Sequence, residues 1–400
     1  MTSQTAARHA EPAGPADSGY LTEDRRAIQR TARDFAMREV LPVANELDPT
    51  GGEIPMGLRE KMADVGFFGV LIPEEYGGLG LGVFEYALVT EELARGWMSV
   101  ASIIARGNKL MTGFTADQRR HYLPRVARGD FLGAFALSEP DAGSDVANLS
   151  CRAARDGDDW VINGQKMWCT FADGADYIQL FARTDPDVDP ARRHRGISVF
   201  LIEKDRGTLP DGVGGNPVRK IGYRGWKTWE LSFDDFRLPG DALVGEEGRG
   251  FYMAMDNLEI ARVHTAARAI GLARGALEDS ITYAGQRVQF GRPIGDNQAI
   301  RFKIADMATR IEVARALMYQ VCTDIDAGRK CPVEASMAKL FASEMAEHVT
   351  SEGLQIHGGA GYTTDFAVER YWRDARLTKI FEGTSEIQLR IISDALLGRT

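Results

Sequence analysis

Apolar residues recur at three- and four-residue spacing from Leu21 to about Gly129, the period of helices that bury one face. The stretch "LTEDRRAIQRTARDFAMREVLPVANELD" opens on Thr22, whose hydroxyl suits a helix N-cap, and predicts a first helix. "MGLREKMADVGFFGV", "VFEYALVTEELARGW" and "TADQRRHYLPRVARG" predict further helices, while "LIPEEYGGLGLG" is too rich in Gly and Pro to be helical and reads as a packed loop. The period changes near Asp130. From there to about Asp241, short apolar segments such as "DDWVINGQKMWCT", "DYIQLFART", "GISVFLIE" and "TWELSFDDFRLP" alternate with turns rich in Gly, Asp and Pro, which predicts a small antiparallel β-domain. After "GEEGRG" long helical patterns with small-residue faces return, and these suit an antiparallel bundle that also packs against copies of itself. The expectation is an α+β chain: a tail over 1–20, a helical domain over 21–129, a β-domain over 130–241 and a helical domain over 242–400.

Composition narrows the function classes. A chain of 400 residues, 44% hydrophobic, can bury a large core and is expected to divide into two or three domains. The net charge of −9, with basic and acidic residues interspersed, offers no footprint for a phosphate backbone, so nucleic acid is not an expected partner. Cys151, Cys169, Cys322 and Cys331 form no CxxC pair and the histidines show no ligand spacing, so neither a disulfide framework nor a metal site is expected, and a reducing, cytoplasmic setting fits. The first twenty residues lack the apolar run of a signal peptide and read as a loose tail. No segment approaches the roughly 18 uninterrupted apolar residues of a membrane span, so a soluble protein is expected. There is no internal repeat and no Rossmann GxGxxG after a strand.

Three stretches carry candidate chemistry, each with a plainer reading beside it. "SEPDAGSD" (Ser138 to Asp145) is a polar loop whose hydroxyls and N–H groups suit a ligand's polar edge, or a surface turn between strands. "KMWCT" places Trp168 and Thr170 on one face of a predicted strand, suited to a planar cofactor or, for the Trp, to the core. "GGAGY" (Gly358 to Tyr362) permits close backbone approach to a ligand, and a helix C-cap also needs glycine. Together with "RVQFGRPIGDNQAI", "LQIHGGAGY", "YWRDARLTKIFEGTSEIQ" and the α–β–α order, these segments resemble the acyl-CoA dehydrogenase family of FAD-dependent flavoproteins over essentially everything after the tail.

The resemblance implies a C-terminal four-helix-bundle domain, FAD as cofactor, an acyl-CoA substrate, electron transfer flavoprotein as electron acceptor, and a homo-oligomer, expected to be a tetramer. It places Phe135, Leu137 and Ser138 at flavin contacts and Ser144 at the acyl-CoA chain. Trp168 and Thr170 fall at the pair against the flavin ring, with the Thr hydroxyl toward N5. Arg287, Gln289, Phe290, Gln298, Gln355, Gly358 and Gly359 resemble contacts to the adenine half of a neighbouring subunit's FAD, and Thr384 and Glu386 occupy further cofactor positions. Arg287 suits a pyrophosphate through charge-assisted hydrogen bonds, or a surface salt bridge. Arg262 stands where the family has an arginine near CoA, or is a surface charge paired with Glu259.

"KIFEGTSEIQ" holds the candidate catalytic base, Glu382. Desaturation of a thioester removes a weakly acidic α-proton while hydride leaves the β-carbon for flavin N5. A carboxylate with an ordinary pKa of about 4.3 accepts that proton poorly, and burial raises such a pKa by as much as about 3–5 units. Phe381 and Ile380 suggest an apolar pocket, Gly383 a flexible presentation, and Thr384 or Ser385 a cap for the following helix. The plain alternative is an acid stabilised at a helix start. By resemblance Glu382 is the base and its backbone N–H, with a ribityl hydroxyl, the oxyanion donor. The other position from which some family branches supply the base is Ala261 here. Phe171, Trp226, Arg106 and Phe114 depart from the family pattern; Arg106 suggests a polar acyl tail or is a solvent-exposed arginine. The chain lacks the large C-terminal extension of acyl-CoA oxidases, which favours a dehydrogenase. The other classes are a silent flavin- or CoA-binding subunit and a same-fold flavin oxidase acting on a non-thioester.

Overall fold

A computed structural model describes residues 19–107, 113–256 and 258–398. Most of the expected tail therefore lies outside the described residues. Its last residue is packed: Tyr20 stacks on Phe84 at 6.3 Å and donates to Gln320 at 2.8 Å.

The N-terminal domain holds α1 (Glu23–Phe35), α2 (Leu41–Leu47), α3 (Met56–Asp64), α4 (Val83–Gly96), α5 (Met98–Ile103) and α6 (Ala116–Ala127). Thr22 caps α1, its hydroxyl accepting from Arg25 N. The continuous first helix expected from the sequence is broken by a π-turn over Ala36–Val40. Pro42, at the start of α2, has no N–H to continue the ladder, which accounts for the break. In the same way α3 stops short of "GFFGV", where Gly66 at φ +84° turns the chain into a 3₁₀ turn, Phe67–Gly69.

The middle domain is a sheet of β1 (Gly133–Ala136), β2 (Arg152–Asp156), β3 (Asp159–Thr170), β4 (Tyr177–Arg183), β5 (Ile197–Glu203), β6 (Val213–Pro217), β7 (Thr228–Leu238) and β8 (Leu243–Val244). The order is β6-β7-β3-β2-β4-β5-β8, with β1 beside β4. Its hairpins are antiparallel as expected, and two parallel contacts, β1 with β4 and β2 with β4, make the sheet mixed. β1 is reached from the helical domain rather than from a hairpin, so nothing in the alternation of its four residues sets its direction.

The C-terminal domain holds α7 (Gly250–Asp256), α8 (Leu258–Gln286), the short hairpin β9 (Val288–Gln289) and β10 (Arg292–Pro293), α9 (Gln298–Asp326), α10 (Pro332–His357), α11 (Val368–Thr378) and α12 (Ser385–Leu397). α8, α9 and α10 pack on one another through small residues, with α11 against α8 and α10, and α4 closes the bundle from the N-terminal side. There Gly271 lies so close to α4 that a Cβ would stand 2.3 Å from Glu91 O. Buried charges fasten the same face: Glu91 pairs with Arg315 at 2.9 Å and Arg274 at 3.3 Å, and Arg95 with Glu278 at 2.7 Å and Asp279 at 2.8 Å. The N-terminal domain and the bundle are thus one packed unit, and the sheet lies against it.

Candidate active site

The turn between α11 and α12 carries Glu382 in a left-handed backbone, φ +53°, followed by Gly383 at φ +88°. A non-glycine residue there is strained and needs support from its surroundings. Lys339 of α10 supplies it, donating from Nζ to Gly383 O at 2.6 Å, and Gln388 Nε2 donates to the same carbonyl at 3.1 Å. Of the two cap candidates Thr384 does the capping, accepting from Ile387 N at 3.3 Å, and Ser385 is buried with its hydroxyl on Glu344 at 2.8 Å.

The surroundings of Glu382 correct the expectation of an apolar pocket. Glu382 Oε1 lies 3.1 Å from Arg268 Nη2, and Oε2 accepts from Thr265 Oγ1 at 2.8 Å. Ile380 is half exposed, and the Phe381 ring lies under the Arg268 guanidinium at 4.5 Å. Helix α8 brings this about: Thr265 and Arg268, three residues apart, share the face turned to the α11–α12 turn. Lys339 is fully buried, and burial pulls its ammonium down to about 8 while Glu382 acts in the opposite direction.

From Phe381 the site extends into the middle domain. The Tyr223 ring meets Phe381 edge-on at 6.1 Å. Lys220 Nζ, 4.9 Å from the centre of the Tyr223 ring, donates to Tyr223 O and Trp226 O at 2.8 Å each and to Thr228 Oγ1 at 3.0 Å. Thr228 Oγ1 in turn lies 2.8 Å from Thr170 Oγ1. A continuous contact path therefore connects Glu382 with Thr170. Burial brings Lys220 down to about 8. Phe171 and Trp226 pack edge-to-face at 4.7 Å, with the Trp indole donating to Ser99 O at 2.7 Å. Arg106 is half-buried rather than solvent-exposed, 3.5 Å from the Tyr223 hydroxyl, and Phe114 is buried against Tyr122.

Beside Thr170, the regular pleat that would set Trp168 and Thr170 on one face is broken by a bulge between Lys166 and Cys169, where Trp168 takes φ +63°. The indole of Trp168 is 57% exposed and Thr170 is half-buried. A buried ion pair joins this strand to the loop after β1: Lys166 Nζ lies 2.8 Å from Glu139 Oε1 and donates to Leu137 O at 3.0 Å, and Met167 N donates to Ser138 O at 2.8 Å. Leu137, Ser138, Trp168 and Thr170 are thereby brought together. Phe135 packs edge-on against Phe181 at 4.8 Å, and Ser144 is exposed further along the loop.

A second group lies elsewhere. Arg287, Gln289, Phe290, Gln298, Gln355, Gly358 and Gly359 are all exposed, around the hairpin after α8 and the end of α10. Tyr283 stacks on His357 at 4.3 Å and meets Phe366 edge-on at 5.7 Å, which fastens those two segments together. Gly358, at φ +58°, is the C-cap of α10, so its glycine has a backbone cause. From Thr265 to the end of α8 at Gln286 the helix runs about 30 Å, at 1.5 Å per residue. Arg287 and Glu382 of one chain therefore belong to different places. Arg262 is buried, donating to Pro332 O at 3.2 Å instead of pairing with Glu259, and its Nε has no partner. Thr384 sits at the turn already described, and Glu386 is exposed in the first turn of α12.

Sequence reasoning passed over Thr265, Arg268, Lys339, Lys220, Tyr223 and the Glu139–Lys166 pair. A signal existed for one of them: Arg268 is a lone guanidinium in the otherwise small, apolar run "TAARAIGLA". Among the described residues no group of three His, Cys, Asp or Glu is placed to hold a metal ion, and no helix is long and apolar enough to cross a membrane.

Comparison with known proteins matches three domain families along the chain: the acyl-CoA dehydrogenase N-terminal domain over residues 22–130, the middle domain over 134–236 and the C-terminal domain over 248–397. An acyl-CoA dehydrogenase of Bacillus subtilis (strain 168) is 43% identical over 95% of this chain and its own full length. The solved butyryl-CoA dehydrogenase of Megasphaera elsdenii superposes with a TM-score of 0.88 at 36% identity, covering 94% of this chain and 99% of that one. A chain in a structure of the electron transferring flavoprotein of Acidaminococcus fermentans gives 0.88 at 38% identity over 94% and 98%.

Proposed function

The chain belongs to the acyl-CoA dehydrogenase family, and on that premise we propose that it desaturates an acyl-CoA thioester to the 2-enoyl-CoA, with FAD as cofactor and Glu382 as the base. The observation that carries the reading is the α11–α12 turn. A strained, braced backbone at Glu382 fixes a carboxylate at a point linked by packed side chains to Thr170, two residues along β3 from Trp168.

The residues present suit a flavin. Trp168 offers an exposed flat ring held by a bulge and a buried ion pair, with the Thr170 hydroxyl and the loop of Phe135, Leu137 and Ser138 beside it. FAD bound there would supply the acceptor for the hydrogen leaving the β-carbon. Glu382 takes the α-proton onto a carboxylate oxygen, and its backbone N–H stands as donor to the thioester oxygen on which charge develops. Ser144 and Arg262 are the proposed contacts to the acyl-CoA. The separation along α8 supports a homo-oligomer in which Arg287, Gln289, Phe290, Gln298, Gln355, Gly358 and Gly359 serve the FAD of a neighbouring subunit, with Thr384 and Glu386 near the cofactor of their own chain. Electron transfer flavoprotein is the proposed acceptor of the electrons.

The test is an anaerobic titration of the purified protein with short, medium, branched, cyclic and carboxylated acyl-CoA thioesters, following the oxidised flavin band. Bleaching by a thioester in the wild type and its loss in Glu382→Gln is the expected result. A protein that takes up FAD and is bleached by none of the panel overturns the proposed reaction for those substrates.

A further inference from the structure

We propose that Arg268 is the positioning residue of the base, clamping the Glu382 carboxylate in the free enzyme and setting the pH at which it becomes competent; this rests on the reading of Glu382 as the base. Arg268 is 1% exposed in a helix face built of small apolar residues. A guanidinium in such a place persists only when paired and hydrogen-bonded. Its Nη2 lies 3.1 Å from Glu382 Oε1 and donates to Thr265 Oγ1 at 3.1 Å, while Nε reaches its own helix at His264 O, 3.4 Å away. Thr265 Oγ1 lies 2.8 Å from Glu382 Oε2 and 3.0 Å from Ala261 O, and its one proton goes to the nearer, charged acceptor. Both carboxylate oxygens are thus engaged by donors that share one helix face.

The geometry has a chemical consequence. A carboxylate that accepts from a guanidinium and a hydroxyl is held ionised and binds a proton weakly. When the α-proton arrives, the oxygen that receives it becomes a donor, and an N–H or O–H already pointing at that oxygen opposes the transfer. The clamp therefore orients the base before substrate arrives and loosens as the acyl thioester enters and excludes water. Charged groups around the turn include Arg268 and Arg262 from α8, Lys339, Glu344 and Glu347 from α10, and Lys379 at the end of α11, which pairs with Glu344 and Glu347 at 2.6 Å each; the middle domain contributes Tyr223 through Phe381. Arg268 is in ion-pair contact with the carboxylate, whereas Lys339 directs its ammonium to Gly383 O.

The experiment compares pH profiles of kcat/KM, which report the free enzyme, with those of kcat, which report the substrate complex. The FAD-loaded wild type is set beside Arg268→Gln, Arg268→Lys and Thr265→Val, using a thioester that bleaches the wild type. The expected wild-type acid limb lies lower in kcat/KM than in kcat. In Arg268→Gln it moves up by about one to three pH units toward the kcat limb, Arg268→Lys returns most of the shift, and Thr265→Val moves it by less in the same direction. An acid limb of kcat/KM that stays in place while activity falls overturns the proposal and leaves Arg268 a structural residue. Should Arg268→Gln fail to fold, an unmoved limb in Thr265→Val overturns it equally. Glu382→Gln, measured alongside, separates the two ideas: bleaching that survives in it refutes the base itself, whereas an unmoved limb with a dead Glu382→Gln refutes only the clamp.

Discussion

Replacing Lys166 by Met tests how the loop after β1 is held to the strand that bears Trp168 and Thr170. Lys166 and Glu139 are buried together, their side chains 0% and 4% exposed, with Nζ and Oε1 2.8 Å apart. The cation offsets the burial that would otherwise raise the Glu139 carboxyl, so that group is held below its usual range. Met fills the volume of the lysine stem and removes the charge. Breaking one half of a buried pair costs about 3–5 kcal/mol. Glu139 keeps Ser150 N at 2.6 Å, Ser150 Oγ at 2.8 Å and Cys151 N at 2.8 Å, which places Lys166→Met near the lower end, about 3 kcal/mol at neutral pH.

The sign of the pH dependence follows from the same contacts. In the wild type the depressed carboxyl contributes stability above its unfolded pKa, lost only as pH falls through the lower folded value. In Lys166→Met burial dominates and the folded carboxyl rises, so the variant is penalised at neutral pH and recovers as pH falls toward about 4.5, at about 1.4 kcal/mol per unit of the rise. Chemical unfolding followed by tryptophan fluorescence near neutral pH and near pH 4.5 measures both. A destabilisation below about 1 kcal/mol at neutral pH, or one equal at the two pH values, refutes the reasoning. The variant is also expected to lose FAD on gel filtration, because Leu137 O and the bulge at Trp168 lose their common anchor.

Asp374 is fully buried, and burial with Asp48 nearby raises it to about 6 despite Arg373. Its protonated form is the one the fold favours, so this stabilisation is fully present below about pH 3.8 and is lost as pH rises through about 6. Asp374→Asn, which keeps an acceptor for Tyr223 N, should flatten the pH dependence of the unfolding midpoint across that window; a slope as steep as in the wild type would count against it. Gly271→Ala places a Cβ 2.3 Å from Glu91 O and 2.8 Å from Ala94 Cβ, backbone and short side chain that cannot swing aside, and should cost about 1–3 kcal/mol by spreading α4 from α8. A neutral Gly271→Ala would show that the two helices separate freely. Thr384→Ala removes the cap of α12 and should cost about 1 kcal/mol, with a loss of turnover from the loosened Glu382 turn. Full turnover in that variant would mean that Lys339 and Gln388, both on Gly383 O, hold the turn without the cap.

The α–β–α order was legible because each part has its own hydrophobic period, and period survives without knowledge of neighbours. What failed were the local exceptions, each with a physical cause. Pro42 withheld one N–H and turned a predicted continuous helix into two segments joined by a π-turn. The bulge before Cys169 broke the two-residue alternation that the Trp168 and Thr170 reading relied on. β1 joined the sheet in parallel, a pairing set by the chain path and not by its own residues.

The candidate site divided along the same line. Residues in contiguous motifs could be proposed from the chain alone, and the turn at Glu382 even announced its cap, since Thr384 is local to it. The partners that give the carboxylate its character are distant: Thr265 and Arg268 stand 117 and 114 positions away, and Lys339 comes from another helix again. The apolar neighbours in sequence, Ile380 and Phe381, pointed to the wrong environment because adjacent residues on a tight turn project to different sides. Ile380 faces solvent, and Phe381 serves as the floor for a guanidinium. An acid next to hydrophobic residues is therefore weak ground for a raised pKa when the fold is unknown. A lone arginine among alanines on a helix is better ground, because its burial requires a counter-charge, and an acid on a turn facing that helix is a natural source of one. "TAARAIGLA" and "KIFEGTSEIQ" hold those two halves, and the need of a buried guanidinium for a carboxylate is the physical reason to join Arg268 to Glu382.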